Sequence, residues 1–361
     1  PVQVFMPAAH RRDAKQCVSE FGRRPVVAVL DTGVRTHPWL GVEADPAAPG
    51  GYRTVSEAFV TVSQGLQDAI CAQAEQVAAA GDEPRRLIRY PWDRPVTDDP
   101  LVGELQTHLG HGAFIAGIVR QVAPDAEVLA VRIMHSDGIV YEGDLTCALA
   151  QLAGRVEAAL RGGMAEMVDV VCLSLGYFSE SAADVAYSSG LRQVIDALTG
   201  LGVTVIAAAG NYATSREFYP AAFAAAPAGP GHAPVISVGA LNPNGSKALF
   251  SDGGPWVRAW ATGAAVISTF PTDINGSRDP ANTLPGSPGR PAGREALDPD
   301  DYSGGFATWS GTSFSAPQVA GQLALELMRG AGADQALQLD RPGAAEAGQR
   351  TAAALLRMGW S

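Results

Sequence analysis

Three short segments of this 361-residue chain hold residue types that can act together as a nucleophilic catalyst. Residues 27–34 read VAVLDTGV, an apolar run that delivers Asp31 into a glycine-containing turn. Residues 110–118 read GHGAFIAGI, with His111 between two glycines at the start of a helix-like stretch. Residues 308–317 read TWSGTSFSAP and bring Ser313 to the start of an apolar helix expected over 318–328. A hydroxyl is a poor nucleophile until a base takes its proton, and an imidazole suits that task near neutral pH. A buried carboxylate then fixes the imidazole tautomer and stabilises the imidazolium that forms. The N-terminus of a helix adds unpaired N–H groups and a dipole that favours developing negative charge.

Each segment alone has a plainer explanation. An Asp after a strand often caps a turn, a lone His is more often a satisfied core or surface residue, and a Ser often caps a helix. The combination is far more specific than its parts. His108 is the nearest rival to His111 but lacks the flanking glycines, and His37 reads as structural.

The elements that must position these residues are legible as apolar runs bounded by Gly, Pro or Asp. Residues 25–30, 127–134, 168–175, 203–208 and 234–239 read as strands with little polar alternation, so both faces should be covered. Helical spacing recurs over 143–160 and 188–198, and again over 348–358. Strands alternating with helices imply an α/β fold, with a mostly parallel central sheet between two helical layers. Open sheets of this kind place their sites at the carboxyl ends of strands, where Asp31 falls. The chain reads as a single domain over 1–361, with surface insertions at about 41–107 and 271–304. The first includes a helix-like run over 63–80, and the second is rich in Gly, Pro, Asp and Ser.

Bulk properties exclude several classes of function. Apolar residues make up 47% and charged residues 17%, which suits a folded globular enzyme and not a disordered segment. A net charge of −11 argues against a nucleic-acid or anionic-membrane partner, both of which demand a basic face. No run of 18 apolar residues is present to span a membrane. The chain begins at Pro1 without a visible signal peptide, which leaves its compartment open. Cys17, Cys71, Cys147 and Cys172 lack metal-ligand spacing, and Cys172 reads as a buried free thiol.

VLDTGV, GHGAFIAGI and WSGTSFSAP, in the order Asp, His, Ser, resemble the signatures of the subtilisin family of serine peptidases. SLG at 174–176, AAAGN at 207–211, FYPA at 218–221 and APVISVGAL at 233–241 are similar to the rest of that framework. The resemblance covers about residues 25–330 and implies a three-layer subtilisin-like fold and endopeptidase activity on polypeptides through an acyl-enzyme. By the same implication Ser313 is the nucleophile, His111 the general base and acid, and Asp31 the residue that orients His111. The Asn211 side chain and the Ser313 N–H complete an oxyanion hole. Ser174, Leu175, Gly176, Ala208, Ala209 and Gly210 are the expected substrate-binding walls, small and uncharged enough to admit a sizeable apolar side chain. The Tyr219–Pro220 bond is expected to be cis, as in the family's similar turn.

The departures from the family pattern are local. Ala113 and Phe114 stand where Thr and a second His are common, which should alter the packing behind His111. Tyr177 follows SLG where a second Gly is frequent, which should reshape the cleft. No cofactor is required by this chemistry. The cluster Asp298, Asp300 and Asp301 offers oxygens for a structural Ca²⁺, although a solvated turn is the plainer reading. A propeptide of the kind many family members carry is not visible in this sequence: it either lies upstream of Pro1 or is absent.

Three other readings compete. A catalytically inactive relative serving as a binding module would be expected to lack a triad or oxyanion residue, and all four are present. An α/β-hydrolase esterase would need a G-x-S-x-G elbow and the order Ser, Asp, His. An acid-active relative would replace His with Glu, which the GHG segment opposes. An imidazole base makes kcat/KM for a peptide substrate rise with pH through roughly 6 to 7. A rate maximum below about pH 5 would contradict a histidine base and favour the acid-active reading.

Overall fold

Residues Val26–Asp31 form strand β1 in a computed structural model of the chain, and five of its six residues are buried. The structure describes residues 6–81, 85–94, 97–99, 104–274, 302 and 304–360. Strands β2 (Val60–Val62), β3 (Glu127–Arg132), β4 (Val170–Leu173), β5 (Thr204–Ala208), β6 (Val235–Leu241) and β7 (Ala259–Thr262) follow. They join β1 in a seven-stranded sheet of order β7-β6-β5-β4-β1-β3-β2. Every pairing in it is parallel. β1 is central, with Val27 beside Val128 of β3 and Val170 of β4.

The helices are α1 (Ala14–Phe21), α2 (Gln64–Ala80), α3 (His111–Val122), α4 (Glu142–Leu160), α5 (Ala182–Gly200), α6 (Thr312–Ala333) and α7 (Ala344–Arg357). Successive strand residues point to opposite faces of a sheet, so each strand feeds two cores. Ala28 and Leu30 of β1 join α2, α4 and α5 in one apolar cluster. Val27 and Val29 join α3 and α6 in the other, which α1 and α7 extend. Asp31 shares the parity of Val27 and Val29, so its side chain belongs to the α3 and α6 layer. That single fact of pleat geometry decides which helix can supply its partner.

The α/β class and the five strands predicted from sequence match the observed sheet. The stretch 41–107, expected as a surface insertion, is corrected in part. It supplies edge strand β2, with Val60 buried against Val128, and helix α2, with Ile70 1% exposed. Burying side chains of this size contributes about 1.5–3 kcal/mol each, more than a surface loop would gather. Trp92 and Asp93 of the same stretch are buried as well. A three-residue strand is too short for periodicity to reveal. Most of 271–304 lies outside the described residues, as do Asp298, Asp300 and Asp301. All four cysteines are free thiols, and burial pushes the Cys172 thiol up to about 12. No helix among the described residues is long and apolar enough to cross a membrane.

Candidate active site

Strand order reverses at β1, with β3 on one side and β4 on the other, and a crevice opens at the carboxyl ends there. Asp31 ends β1, Ser174 follows β4, and Gly210 and Asn211 follow β5. The starts of α3 and α6 bring His111 and Ser313 to the same place. Sequence positions from 31 to 313 thus converge on one crevice because five elements begin or end there.

The two glycines around His111 have separate jobs. Gly110 caps α3 in the left-handed region at φ 80°, which favours glycine, and a Cβ there would meet the Phe270 ring. A Cβ on Gly112 would meet the carbonyl of Gly33 in the Asp31 turn. The helix start can therefore press directly against that turn. His111 Nδ1–H consequently donates to both Asp31 oxygens, at 2.8 and 2.9 Å. Asp31 is 1% exposed and His111 3%. The other imidazole nitrogen, Nε2, is left for a second partner.

Behind the imidazole lie aromatic rings, with Phe314 at 5.3 Å and Trp309 edge-on at 5.5 Å. Phe114 packs on Phe314 at 4.5 Å, so the departure at that position fills the core behind His111. His108 is placed beside His111, 5.4 Å between ring centres, and lines the cleft. Burial, reinforced by His111, lowers its pKa from the ordinary imidazole value. Its Nδ1 pairs with the Thr107 hydroxyl and not with a carboxylate. His37 is structural: Nε2–H donates to the Gly305 carbonyl at 2.8 Å and burial pushes its pKa down to about 4.

Ser313 is the second residue of α6 and is buried at 9% exposure. Pro317, four residues on, has no N–H to give the Ser313 carbonyl. The Ser174 hydroxyl takes that role and donates to the same carbonyl at 2.9 Å. In return the Ser313 hydroxyl donates weakly to the Ser174 carbonyl at 3.4 Å. Ser174 therefore ties the strand end that lines the cleft to the helix that presents Ser313.

Asn211 is fixed by a short relay. The Gly210 N–H donates to the Thr312 hydroxyl at 3.1 Å, and that hydroxyl donates on to Asn211 Oδ1 at 2.9 Å. The Thr312 N–H donates to the same oxygen at 2.8 Å. With Oδ1 occupied twice, the amide orientation is settled by its network and Nδ2 is the free, donating end. The Thr312 contribution carries no sequence signal beyond adjacency to Ser313.

Ser313, Thr312, Asn211 and His108 line a cleft of about 480 Å³. Of the residues named from sequence as substrate-binding walls, Ser174, Leu175, Gly176, Ala208 and Gly210 line this cleft. Ala209 does not: it is fully buried in the α4 and α5 layer, because alternation turns it away from its neighbours. Tyr177 joins the wall, its hydroxyl 2.6 Å from Ser188. Tyr187 and Phe218 also line the cleft and were not expected there. The Tyr219–Pro220 bond is cis, as anticipated. No group of three or more metal-ligating side chains converges among the described residues.

A family model described as "Subtilase family" matches residues 22–332. Subtilisin BL of Lederbergia lenta is 29% identical over 332 residues, covering 90% of this chain and 81% of its own length. An alkaline protease of Alkalihalobacillus alcalophilus is 28% identical over 332 residues, again 90% of this chain, which spans 57% of that protein. Among solved structures, a lanthipeptide protease shares the fold at a TM-score of 0.50 and 18% identity, covering 84% of this chain and 72% of its own.

Replacing Ser174 with Ala leaves the buried Ser313 carbonyl without its donor. An unsatisfied buried acceptor costs about 1–3 kcal/mol, so Ser174→Ala should lower the unfolding free energy by that amount in denaturant titration. A stability within about 0.5 kcal/mol of wild type would show that another group compensates.

Proposed function

The chain belongs to the subtilase family and is a subtilisin-like serine peptidase; from that premise we propose that Ser313, His111, Asp31 and Asn211 carry out peptide-bond hydrolysis through an acyl-enzyme. The observation that carries this reading is the double contact of His111 Nδ1 with the buried Asp31 carboxylate, beside a cleft that Ser313 and Asn211 line together with His108, the ring neighbour of His111. With Nδ1 engaged, Nε2 is the acceptor for the Ser313 hydroxyl proton as oxygen attacks the scissile carbonyl carbon. The carbonyl oxygen gains negative charge in the tetrahedral intermediate. Asn211 Nδ2 and the Ser313 N–H, an unpaired donor of the first helical turn, are the groups assigned to receive it. The imidazolium returns its proton to the leaving amine, and a water, activated by the same base, releases the acyl group.

The substrate is a polypeptide, and we assign its backbone to the edges after β4 and β5. The apolar wall supplied by Leu175, Tyr177 and Phe218 favours a sizeable apolar side chain in the cleft. Every chemical task is assigned to a side chain or backbone group, so this proposal calls on no cofactor. The catalytically inactive alternative is opposed by the fixed orientations of His111 and Asn211, which a binding module has no use for.

A fluorophosphonate probe should label Ser313 alone, and Ser313→Ala should lose both labelling and nearly all peptidase activity while its circular dichroism is unchanged. Labelling that persists in Ser313→Ala would move the nucleophile elsewhere.

A further inference from the structure

Asp93 is fully buried, and none of the chemistry above uses it. Its Oδ2 accepts from the Thr32 hydroxyl at 3.0 Å and from the Gly110 N–H at 2.8 Å. Thr32 directly follows Asp31, and Gly110 directly precedes His111. The Thr32 hydroxyl also accepts from the Gly112 N–H at 3.0 Å, so His111 is bracketed on both sides. The backbone reinforces the tie, because the Asp93 N–H donates to the Val34 carbonyl at 3.0 Å.

We propose that Asp93 is a positioning residue for the peptidase reaction: its carboxylate joins the turn after Asp31 to the start of α3 and so sets the approach of Asp31 to His111. The proposal rests on the triad reading given above. A carboxylate does this better than a neutral acceptor, since charge-assisted bonds are shorter and about twice as strong.

The charge is held at a cost. Oδ1 of Asp93 has no hydrogen-bond partner. The charged and titratable groups facing it are Arg132 of β3, Arg35 after β1 and the Tyr52 hydroxyl, with Asp31 and His111 one residue from its two donors. Both guanidiniums are engaged elsewhere, Arg132 with the Trp92 carbonyl and Arg35 with Asp273. Burial outweighs their pull and raises the Asp93 carboxyl from 3.8 to about 6. A folded-state pKa above the unfolded value means that the native state prefers the protonated form. That contribution to stability is full below about 3.8 and is lost as pH rises through about 6. At pH 8 the ionised carboxylate therefore favours the fold less than the protonated acid does.

Asp93→Asn tests this, because it keeps the shape and one acceptor oxygen while removing charge and titration. Wild type, Asp93→Asn and Asp93→Ala are compared by kcat and KM on a peptide substrate, by pH profile and by thermal midpoint at pH 8. In Asp93→Asn, kcat should fall about ten-fold or more with KM within about two-fold, since misplacement by 1 Å alone costs up to about 10². Its thermal midpoint at pH 8 should equal or exceed that of wild type. Asp93→Ala, which has no acceptor at all, should lose more kcat than Asp93→Asn. Below about pH 6, log(kcat/KM) of wild type should fall more steeply than one ionisation allows, and Asp93→Asn should restore the slope to one. A kcat within about two-fold of wild type and superimposable profiles would overturn the proposal, as would a lower thermal midpoint with an unchanged acid slope. These outcomes are independent of whether Ser313→Ala abolishes labelling, which decides the nucleophile of the triad reading.

Discussion

The contact between the Asp31 carboxylate and His111 Nδ1 is the constraint around which the rest of the site is arranged. It demands that the end of a central strand and the start of a helix approach within hydrogen-bond distance, with both partners out of water. Pleat parity sends Asp31 towards the α3 layer, and Gly112 lets the helix press on the turn beyond the strand. An aromatic wall of Phe314 and Trp309 then holds the imidazole plane from behind. Removing any of these would leave two competent side chains too far apart to cooperate, because acid–base catalysis depends first on geometry.

The second half of the cleft follows the same economy. Pro317 deprives the Ser313 carbonyl of its helical donor, and Ser174 restores one from the neighbouring strand end. Thr312 spends both its N–H and its hydroxyl on Asn211 Oδ1, which leaves Nδ2 as the donor. In each case a bond that stabilises the fold also fixes the direction of a group assigned to the reaction. Preorganisation of this kind is where electrostatic catalysis gains most, since the donors need not reorient as charge develops.

Much of this was legible in the sequence. Apolar runs located five strands, and glycine-flanked motifs located Asp31, His111 and Ser313, because buried strands and close backbone approach leave local signatures. What stayed hidden depended on distant partners. Strand β2 has three residues and gains its identity only by pairing with β3. Asp93 sits in a Pro-rich stretch with no periodicity, and its environment is made by Thr32 and Gly110. Ala209 was grouped with its neighbours by motif, yet alternation buries it in the opposite layer. Sequence exposes local rules well, and it is silent on which distant segment completes a buried polar network.

In the proposed mechanism Asp31 holds His111 in the tautomer and orientation that leave Nε2 as the base. The kcat of Asp31→Asn near neutral pH tests it most directly, since Asn keeps the shape but cannot accept the Nδ1–H in the same way. A fall of about 10⁴ in kcat with the fold intact is the predicted result, the magnitude known for this change in a serine peptidase triad. A fall of less than about ten-fold would contradict this role of Asp31, because the contact on which the site is built would then be dispensable.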